Sequence, residues 1–278
     1  MINIMSSSSL KKSKTINIYT SEELEGIRNA CSVVARCLDS LASMIQPKIT
    51  TEEINDFVYQ FGIENNAIPA TLNYRGYRKS CCTSVNHVVC HGIPSNKELR
   101  DGDIINVDVT YIVDGWHGDS SRMYPVGKIK RSAERLLQVT YESLYKGIAA
   151  VKLNGNITDI GKAIQQYAHS ENYSIVEVFC GHGIGRCFHE NPEILHFYDP
   201  LYPSDEIKFQ EGMVFTIEPM LNLGSASVKV LSDGWTAVTR DQSLSAQYEH
   251  TIAITKKGCE IFTLSPNNLG RPGIPPIQ

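Results

Sequence analysis

Ile104-Ile105-Asn106-Val107-Asp108-Val109-Thr110-Tyr111-Ile112-Val113-Asp114-Gly115-Trp116-His117-Gly118-Asp119 is the stretch whose reading decides the fold. Ile105, Val107, Val109, Tyr111 and Val113 fall on one face, and Asn106, Asp108 and Thr110 on the other. A period of two is that of a half-buried strand. Asp114-Gly115 supplies two residues that tolerate positive φ, as a two-residue type I′ hairpin turn requires. That turn predicts Val113 opposite Trp116, Thr110 opposite Asp119 and Asp108 opposite Ser121. Asp108 and Asp119 then share a sheet face, on a diagonal of about 7 Å or less. Two carboxylates aimed at one point repel unless a positive charge lies between them. A divalent cation answers this, and a solvated polar face is the alternative; the rest of the chain decides.

Outward from the hairpin, the order of elements occurs twice. Thr20-Ser21-Glu22-Glu23 reads as a helix cap, with a helix to about Ile45 in which Leu24, Ile27, Cys31, Val34 and Leu38 recur at helical spacing. Thr50 or Thr51 caps a second helix to about Asn65. Ser132-Ala133-Glu134 opens a third helix, to about Val151, and Thr158-Asp159 caps a fourth, to about Ser170, with strands near 174–180 and 213–220. Ser132 lies 111 residues after Ser21, Ile157-Thr158 lies 108 after Ile49-Thr50, and Gly212 lies 110 after Gly102. In both copies an acid follows the glycine by six residues: Asp108 and Glu218. A near-constant offset predicts two related α-α-β halves, about 20–126 and 131–255, in one α/β (α+β) domain with a shared curved antiparallel sheet. Asp108 and Glu218 would face each other across its pseudo-two-fold axis.

Further candidate ligands follow. Glu218 sits in V-F-T-I-E-P-M and Glu249 in A-Q-Y-E-H-T-I-A-I, on the same face as Thr251. Between the halves lies C-G-H-G-I-G-R-C-F-H-E, with His182 flanked by glycines and His189 seven residues on. Each alone also reads as a loop histidine, an edge-strand acid or a surface pair. Together, four carboxylates and one imidazole suit two adjacent divalent ions, the four negative charges being balanced by two dications. Oxygen-rich ligation with one histidine fits Mn, Fe(II), Co or Zn. Two such ions about 3.5–4 Å apart share a water or hydroxide as nucleophile in many hydrolases.

CHGIP (90–94), NVDVT (106–110), HGDSS (117–121), GHGIGRCFHE (181–190), FTIEPM (215–220) and QYEHT (247–251) resemble type 1 methionine aminopeptidase over about Ile16 to Leu264. The resemblance implies a pita-bread fold and removal of the initiator methionine from nascent chains at the ribosome, with a metal-bound hydroxide attacking the peptide carbonyl and a small second residue preferred. It also implies roles. Asp108 holds one metal, Asp119 and Glu249 bridge both, and His182 and Glu218 complete the other site. Glu218 also handles the proton of the attacking water. His91 and His189 steady the substrate and the developing oxyanion. Tyr74, Tyr77, Cys82, Phe188 and Trp235 form a methionine pocket, for which aromatics and a polarizable thiol suit a thioether; ordinary aromatic core is the rival for Tyr77 and Trp235. Asn86, Val88 and Ser245 resemble a monovalent-cation site for Na or K. Thr71 and Arg78 depart from residues common in the family, at the pocket rim. His87, His117, His169 and His196 receive no role.

The rivals are an Xaa-Pro aminopeptidase or prolidase, which usually carries a further N-terminal domain; a type 2 enzyme, which carries a long insertion; and a binding protein of the same fold, which loses metal ligands. All five are present here. The 278 residues are 42% hydrophobic and 20% charged, ordinary for a chain with a large core. A formal net charge of −4 gives no basic footprint for nucleic acid. No apolar run is long enough to span a membrane. Residues 1–15 are Ser- and Lys-rich and read as a disordered tail without a secretory signal, the lack of acids before Glu22 leaving an organellar address open. The catalytic domain is expected over 16–264 and a loosely draped tail over 265–278. Eight cysteines without a C-x-x-C pair suggest reduced thiols. A cytoplasmic monomer is the expectation.

Overall fold

The structure, a computed structural model, describes residues 15–200 and 207–269; most of the N-terminal tail, 1–14, and the C-terminal stretch from 270 lie outside the described residues. The first half runs α1 (Ser21–Met44), α2 (Thr51–Glu64), β1 (Ile68–Pro69), β2 (Cys82–Val85), β3 (Val88–Cys90), β4 (Ile104–Val113) and β5 (Trp116–Pro125). The second runs α3 (Arg131–Ala150), α4 (Thr158–Ser170), β6 (Ser174–Ile175), β7 (Gly181–Gly183), β8 (Glu190–Ile194), β9 (Val214–Ile217), β10 (Met220–Asn222), β11 (Val228–Val230), β12 (Ala237–Thr239), β13 (Ser245–Gln247), β14 (His250–Thr255) and β15 (Gly258–Ile261).

Local chemistry accounts for the helix starts. The Thr20 and Thr50 hydroxyls accept the N–H of Glu23 and Glu53, whose carboxylates accept the threonine N–H in return. Each such cap stabilises its helix by about 1 kcal/mol. Thr158 does not cap α4 as the sequence suggests. Ile157 stands at that position without a side-chain bond, and Asp159 reaches back to the Asn156 N–H. The strand expected over 174–180 shortens to Ser174–Ile175. Gly102 and Gly212 both have positive φ, 93° and 89°, at matching places two residues before β4 and β9, where a side chain would be strained.

The β4–β5 hairpin has the expected register: Val113 faces Trp116, Thr110 faces Asp119 and Asp108 faces Ser121. Ile105, Val107, Val109 and Tyr111 pack under α1 and α2 as one core. Phe215, Ile217, Ile252 and Ile254 pack under α3 and α4 as the other. Among the described residues, hydrogen bonding divides the strands into four sheets: β1-β4-β2 with β5 on β4, β13-β10-β6, β11-β12-β3, and β15-β14-β9-β7-β8. Pro219, which lacks an N–H, separates β9 from β10. Side chains and loops stitch the halves together. Ser120 Oγ donates to the Glu249 carbonyl at 2.6 Å, the Glu249 N–H donates to the Ser121 carbonyl at 3.1 Å, and Asn106 Nδ2 donates to the Gln247 carbonyl at 2.9 Å.

The Arg122–Asp39 ion pair ties β5 to α1 at 2.8 Å, with 4% and 2% of the two side chains exposed. Ser265 Oγ and the Asn267 N–H also donate to the Asp39 carboxylate, so the C-terminal stretch is anchored through its first residues. Leaving one buried charge without its partner costs about 3–5 kcal/mol, and replacing both with apolar groups costs far less. We therefore expect Arg122→Met to lower the urea-unfolding free energy by about 3–5 kcal/mol and Arg122→Met/Asp39→Leu to recover most of the loss; equal losses in the two proteins would show that the pair is not what holds β5 to α1.

Candidate metal and substrate site

Asp108 projects from β4 and Asp119 from β5, while Glu218 follows β9 and Glu249 precedes β14. All four line one cavity of about 390 Å³, together with His182 on β7. Asp119, His182 and Glu249 bring ligand atoms within 4.8 Å of one another. His182 Nε2 lies 3.7 Å from Asp119 Oδ2 and 3.7 Å from Glu218 Oε1. His182 is available because its strand is squeezed. A Cβ on Gly181 would sit 2.4 Å from the Thr216 carbonyl oxygen, and one on Gly183 would sit 2.1 Å from the Asn191 carbonyl oxygen, so only glycines let β7 pass between β8 and β9.

The acids are held in place by neutral donors. Thr110 Oγ1 donates to Asp119 Oδ1 at 2.8 Å. Thr216 Oγ1 donates to Glu218 Oε1 at 2.8 Å and Gln247 Nε2 to Glu218 Oε2 at 3.2 Å. The Glu218 N–H donates to His196 Nε2 at 3.0 Å. Thr251 Oγ1 donates to the Asp119 carbonyl at 2.7 Å, so the chains carrying Asp119 and Glu249 move as one.

Burial pushes the Asp108 carboxyl up to about 7 and, with repulsion from Asp108 added, the Glu218 carboxyl up to about 8. Burial and the neighbouring acids raise Asp119 and Glu249 well above the usual carboxylate range. His182 is pushed the other way, to about 4, by burial. Its Nδ1 faces the Gly183 carbonyl at 3.0 Å, which fixes the proton there and leaves the Nε2 lone pair toward the acids. Four carboxylates, two buried and two half-buried, and a neutral imidazole nitrogen lining one cavity are the donor set of a divalent metal centre. His182, Asp119 and Glu249 are the group close enough to hold one ion, and Asp108 and Glu218 line the same cavity.

Around this nest stand the other expected residues. Tyr74, Tyr77, Cys82, His91, Phe188, His189 and Trp235 all line the cavity. Cys82 lies opposite Asp108 in the β2–β4 ladder, and burial keeps its thiol protonated. Tyr77 is almost fully buried; its hydroxyl donates to the Cys81 and Gly92 carbonyls, and its ring meets the Trp235 ring edge-on with centroids 5.1 Å apart. Tyr74 and Phe188 meet at 5.0 Å, and Tyr74 Oη contacts His189 Nδ1 at 2.9 Å. His91 has a φ of 56°, a conformation that costs a non-glycine residue about 1–3 kcal/mol and clusters at functional sites. Burial pushes its pKa down to about 4. His189 opens to solvent at the rim, and desolvation of its inner edge and the neighbouring His182 hold its pKa below the ordinary value.

Asn86 and Ser245 are neighbours outside this cavity: the Ser245 N–H donates to the Asn86 carbonyl at 2.9 Å, and Val88 pairs with Val238 in the β3–β12 ladder. Thr71 lines the cavity, whereas Arg78 is exposed and does not. Residues that sequence reasoning left without a part include Thr216, Gln247 and His196, which hold Glu218, and His117, whose ring stacks on Phe188 at 6.0 Å. Thr110 was legible, since the register places it opposite Asp119. His196 had no signal, because it lies outside the strand that carries Glu218.

Metal-free protein should carry the signature of these acids. Folded Asp108 and Glu218 keep their protons up to about 7 and 8, whereas unfolded carboxylates ionise at about 4. The unfolded chain therefore binds fewer protons across that window, and stability falls as pH rises. The buried histidines work in the opposite sense, but only below the unfolded histidine value of about 6.5. We expect the Tm of metal-stripped protein to fall between about pH 6.5 and 8, with Asp119→Asn flattening the fall and added Mn restoring most stability at the upper end. A Tm that is flat or rises in that window would contradict the charge assignment.

Known proteins match in both sequence and structure. The pattern of metallopeptidase family M24 matches residues 25–256. The chain is 51% identical over 260 residues to a methionine aminopeptidase of Rickettsia prowazekii, across 93% of this chain and 99% of that protein. The crystal structure of methionine aminopeptidase from Rickettsia prowazekii superposes with a TM-score of 0.87 at 50% identity, covering 90% of this chain and 100% of that one. A prolidase from Pyrococcus furiosus gives a TM-score of 0.72 at 21% identity, covering 89% of this chain and 65% of that one, a likeness of fold alone. The chain therefore belongs to metallopeptidase family M24, an enzyme family whose chemistry the buried nest of acids and His182 is equipped to support with a divalent metal.

Proposed function

We propose that this enzyme is a methionyl aminopeptidase that removes the initiator methionine from nascent proteins and peptides. The observation that carries the reading is the junction of two environments in one cavity. The four acids and His182 share one cavity with the aromatic rings of Tyr77, Phe188 and Trp235 and the Cys82 thiol. Aromatic faces and a neutral thiol favour an unbranched thioether over a charged side chain.

Asp108, Asp119, His182, Glu218 and Glu249 would hold two divalent ions, drawn from Co, Mn, Fe(II) or Zn, since four carboxylates need four positive charges. Such ions supply Lewis acidity toward a peptide carbonyl and lower the pKa of water. Glu218, whose two oxygens are oriented by Thr216 and Gln247, takes the proton of the attacking water and returns it to the departing amine. His91 and His189, kept uncharged by their surroundings, donate hydrogen bonds to the substrate amide and the developing oxyanion. Tyr74, bonded to His189, joins the rim of the slot. The substrate's free amino terminus lies against the acids, which explains an exopeptidase. A small second residue is preferred, as the resemblance to type 1 enzymes implies. Asn86, Val88 and Ser245 form a monovalent-cation site for Na or K outside the cavity. We read the enzyme as a cytoplasmic monomer acting on polypeptide N-termini at the ribosome; no helix among the described residues is long and apolar enough to cross a membrane, and the net charge of −4 leaves no nucleic-acid footprint.

Metal-stripped protein reconstituted with Mn, Co or Fe(II) should release methionine from Met-Ala-Ser, act far more slowly on Met-Leu-Ser and leave Ala-Pro-Ser intact. Asp119→Asn should lower kcat/KM by roughly a thousandfold or more, the scale of losing a group that stabilises charge in the transition state. Cleavage of Ala-Pro-Ser in preference would make the protein an Xaa-Pro enzyme, and no cleavage with any metal would leave it a binding protein.

A further inference from the structure

Phe188 and His189 sit in a short turn between β7 and β8, and the residue that ends this turn, Glu190, contacts the other end of the chain. Glu190 Oε2 accepts the Tyr19 hydroxyl at 2.6 Å and Asn17 Nδ2 at 2.7 Å. The other oxygen, Oε1, accepts the Cys187 N–H at 2.8 Å. One carboxylate thus closes the turn on itself and ties it to the segment before α1. Bonds to a charged acceptor are stronger and shorter than neutral ones, and all three donors here meet an ionisable group.

The segment is a firm support. Tyr19 is buried, its N–H donates to the Gly212 carbonyl at 2.8 Å, and its ring meets Trp116 edge-on at 5.6 Å. The turn is seated from a second side. The Arg186 guanidinium stacks 3.5 Å over Trp116, and the His117 N–H donates to the Gly185 carbonyl at 2.9 Å. Glu190 bridges the two, one oxygen holding the N-terminal segment and the other the turn, and the Tyr19 hydroxyl also meets the Arg186 backbone. Phe188 and His189, the two residues it spans, line the cavity, as Glu190 itself does.

We propose that Tyr19, Asn17 and Glu190 form a latch of positioning residues, through which the segment before α1 fixes Phe188 against the methionine side chain and His189 against the substrate amide. This rests on the methionyl aminopeptidase reading for its kinetic consequences, but the latch itself is a property of the fold. Tyr19 touches no substrate. Its effect passes through Glu190 to the turn, and misplacing a group by about 1 Å can cost up to a hundredfold in rate.

The test is a double-mutant cycle on the full metal-loaded chain with Tyr19→Phe, which keeps the ring against Trp116, and Glu190→Gln. Each single change should lower kcat/KM for Met-Ala-Ser roughly tenfold, within that range, with metal content unchanged. The double variant should lose clearly less than the product of the two single losses, because both changes open one latch. Asn17→Ala, at the exposed end, gives a smaller loss in the same direction. Hydrogen exchange of the Cys187 amide, which needs no substrate, should quicken at least tenfold in Tyr19→Phe. Unchanged exchange, faster exchange with unchanged kcat/KM, or additive losses in the cycle would each overturn the proposal. If the unaltered enzyme fails to release methionine, the functional reading falls with it, and the Cys187 exchange alone then decides whether the latch exists.

Discussion

Four carboxylates, the buried Asp119 and Glu249 and the half-buried Asp108 and Glu218, line one cavity, and they repel one another. In the absence of positive charge the protein answers by keeping protons on them, which is why burial raises all four. The rest of the structure makes this cluster possible. Neutral donors, Thr110, Thr216 and Gln247, orient the oxygens without cancelling their charge. His182 adds a lone pair and no charge, because burial keeps the ring neutral and the Gly183 carbonyl accepts its Nδ1–H, leaving Nε2 free. A lysine or arginine in the same place would have relieved the repulsion and occupied the position a metal needs.

The duplicated order of elements explains how acids far apart in sequence meet. Each half brings a strand that begins two residues after a glycine of positive φ, and an acid stands six residues after that glycine: Asp108 in one half and Glu218 in the other. The halves are then fastened at the acids themselves, by Ser120 and Ser121 on the Glu249 backbone and by Thr251 on the Asp119 carbonyl. A change in the relative position of the halves would therefore disturb the ligands at once. The proposed methionine slot rests on the same scaffold, since Cys82 pairs across from Asp108 and Phe188 follows His182 by six residues.

Much of this was legible in the chain. The alternation over 104–113 and the Asp114-Gly115 turn fixed the hairpin register residue by residue, because a slip of one would turn Val107 and Val109 out of the core. Thr20 and Thr50 announced their helices through local bonds that need no tertiary context. What stayed hidden depends on long-range approach. His196 holds the Glu218 N–H across 22 residues and Gln247 holds its carboxylate across 29, and neither lies at a spacing that periodicity detects. Thr158 looked like a cap but yields to Asp159, which bonds the Asn156 N–H. The Glu190 contact with Tyr19 spans 171 residues and left no local trace.

The proposed sharing of two dications by these acids is open to direct measurement. Electron paramagnetic resonance of metal-stripped protein titrated with Mn(II) measures this directly. The account predicts that the signal converts to an exchange-coupled pair as the second equivalent binds, and that Glu249→Gln, lacking a bridging carboxylate, shows only isolated Mn(II). Isolated ions in the unaltered protein at two equivalents, or saturation at one, would contradict it.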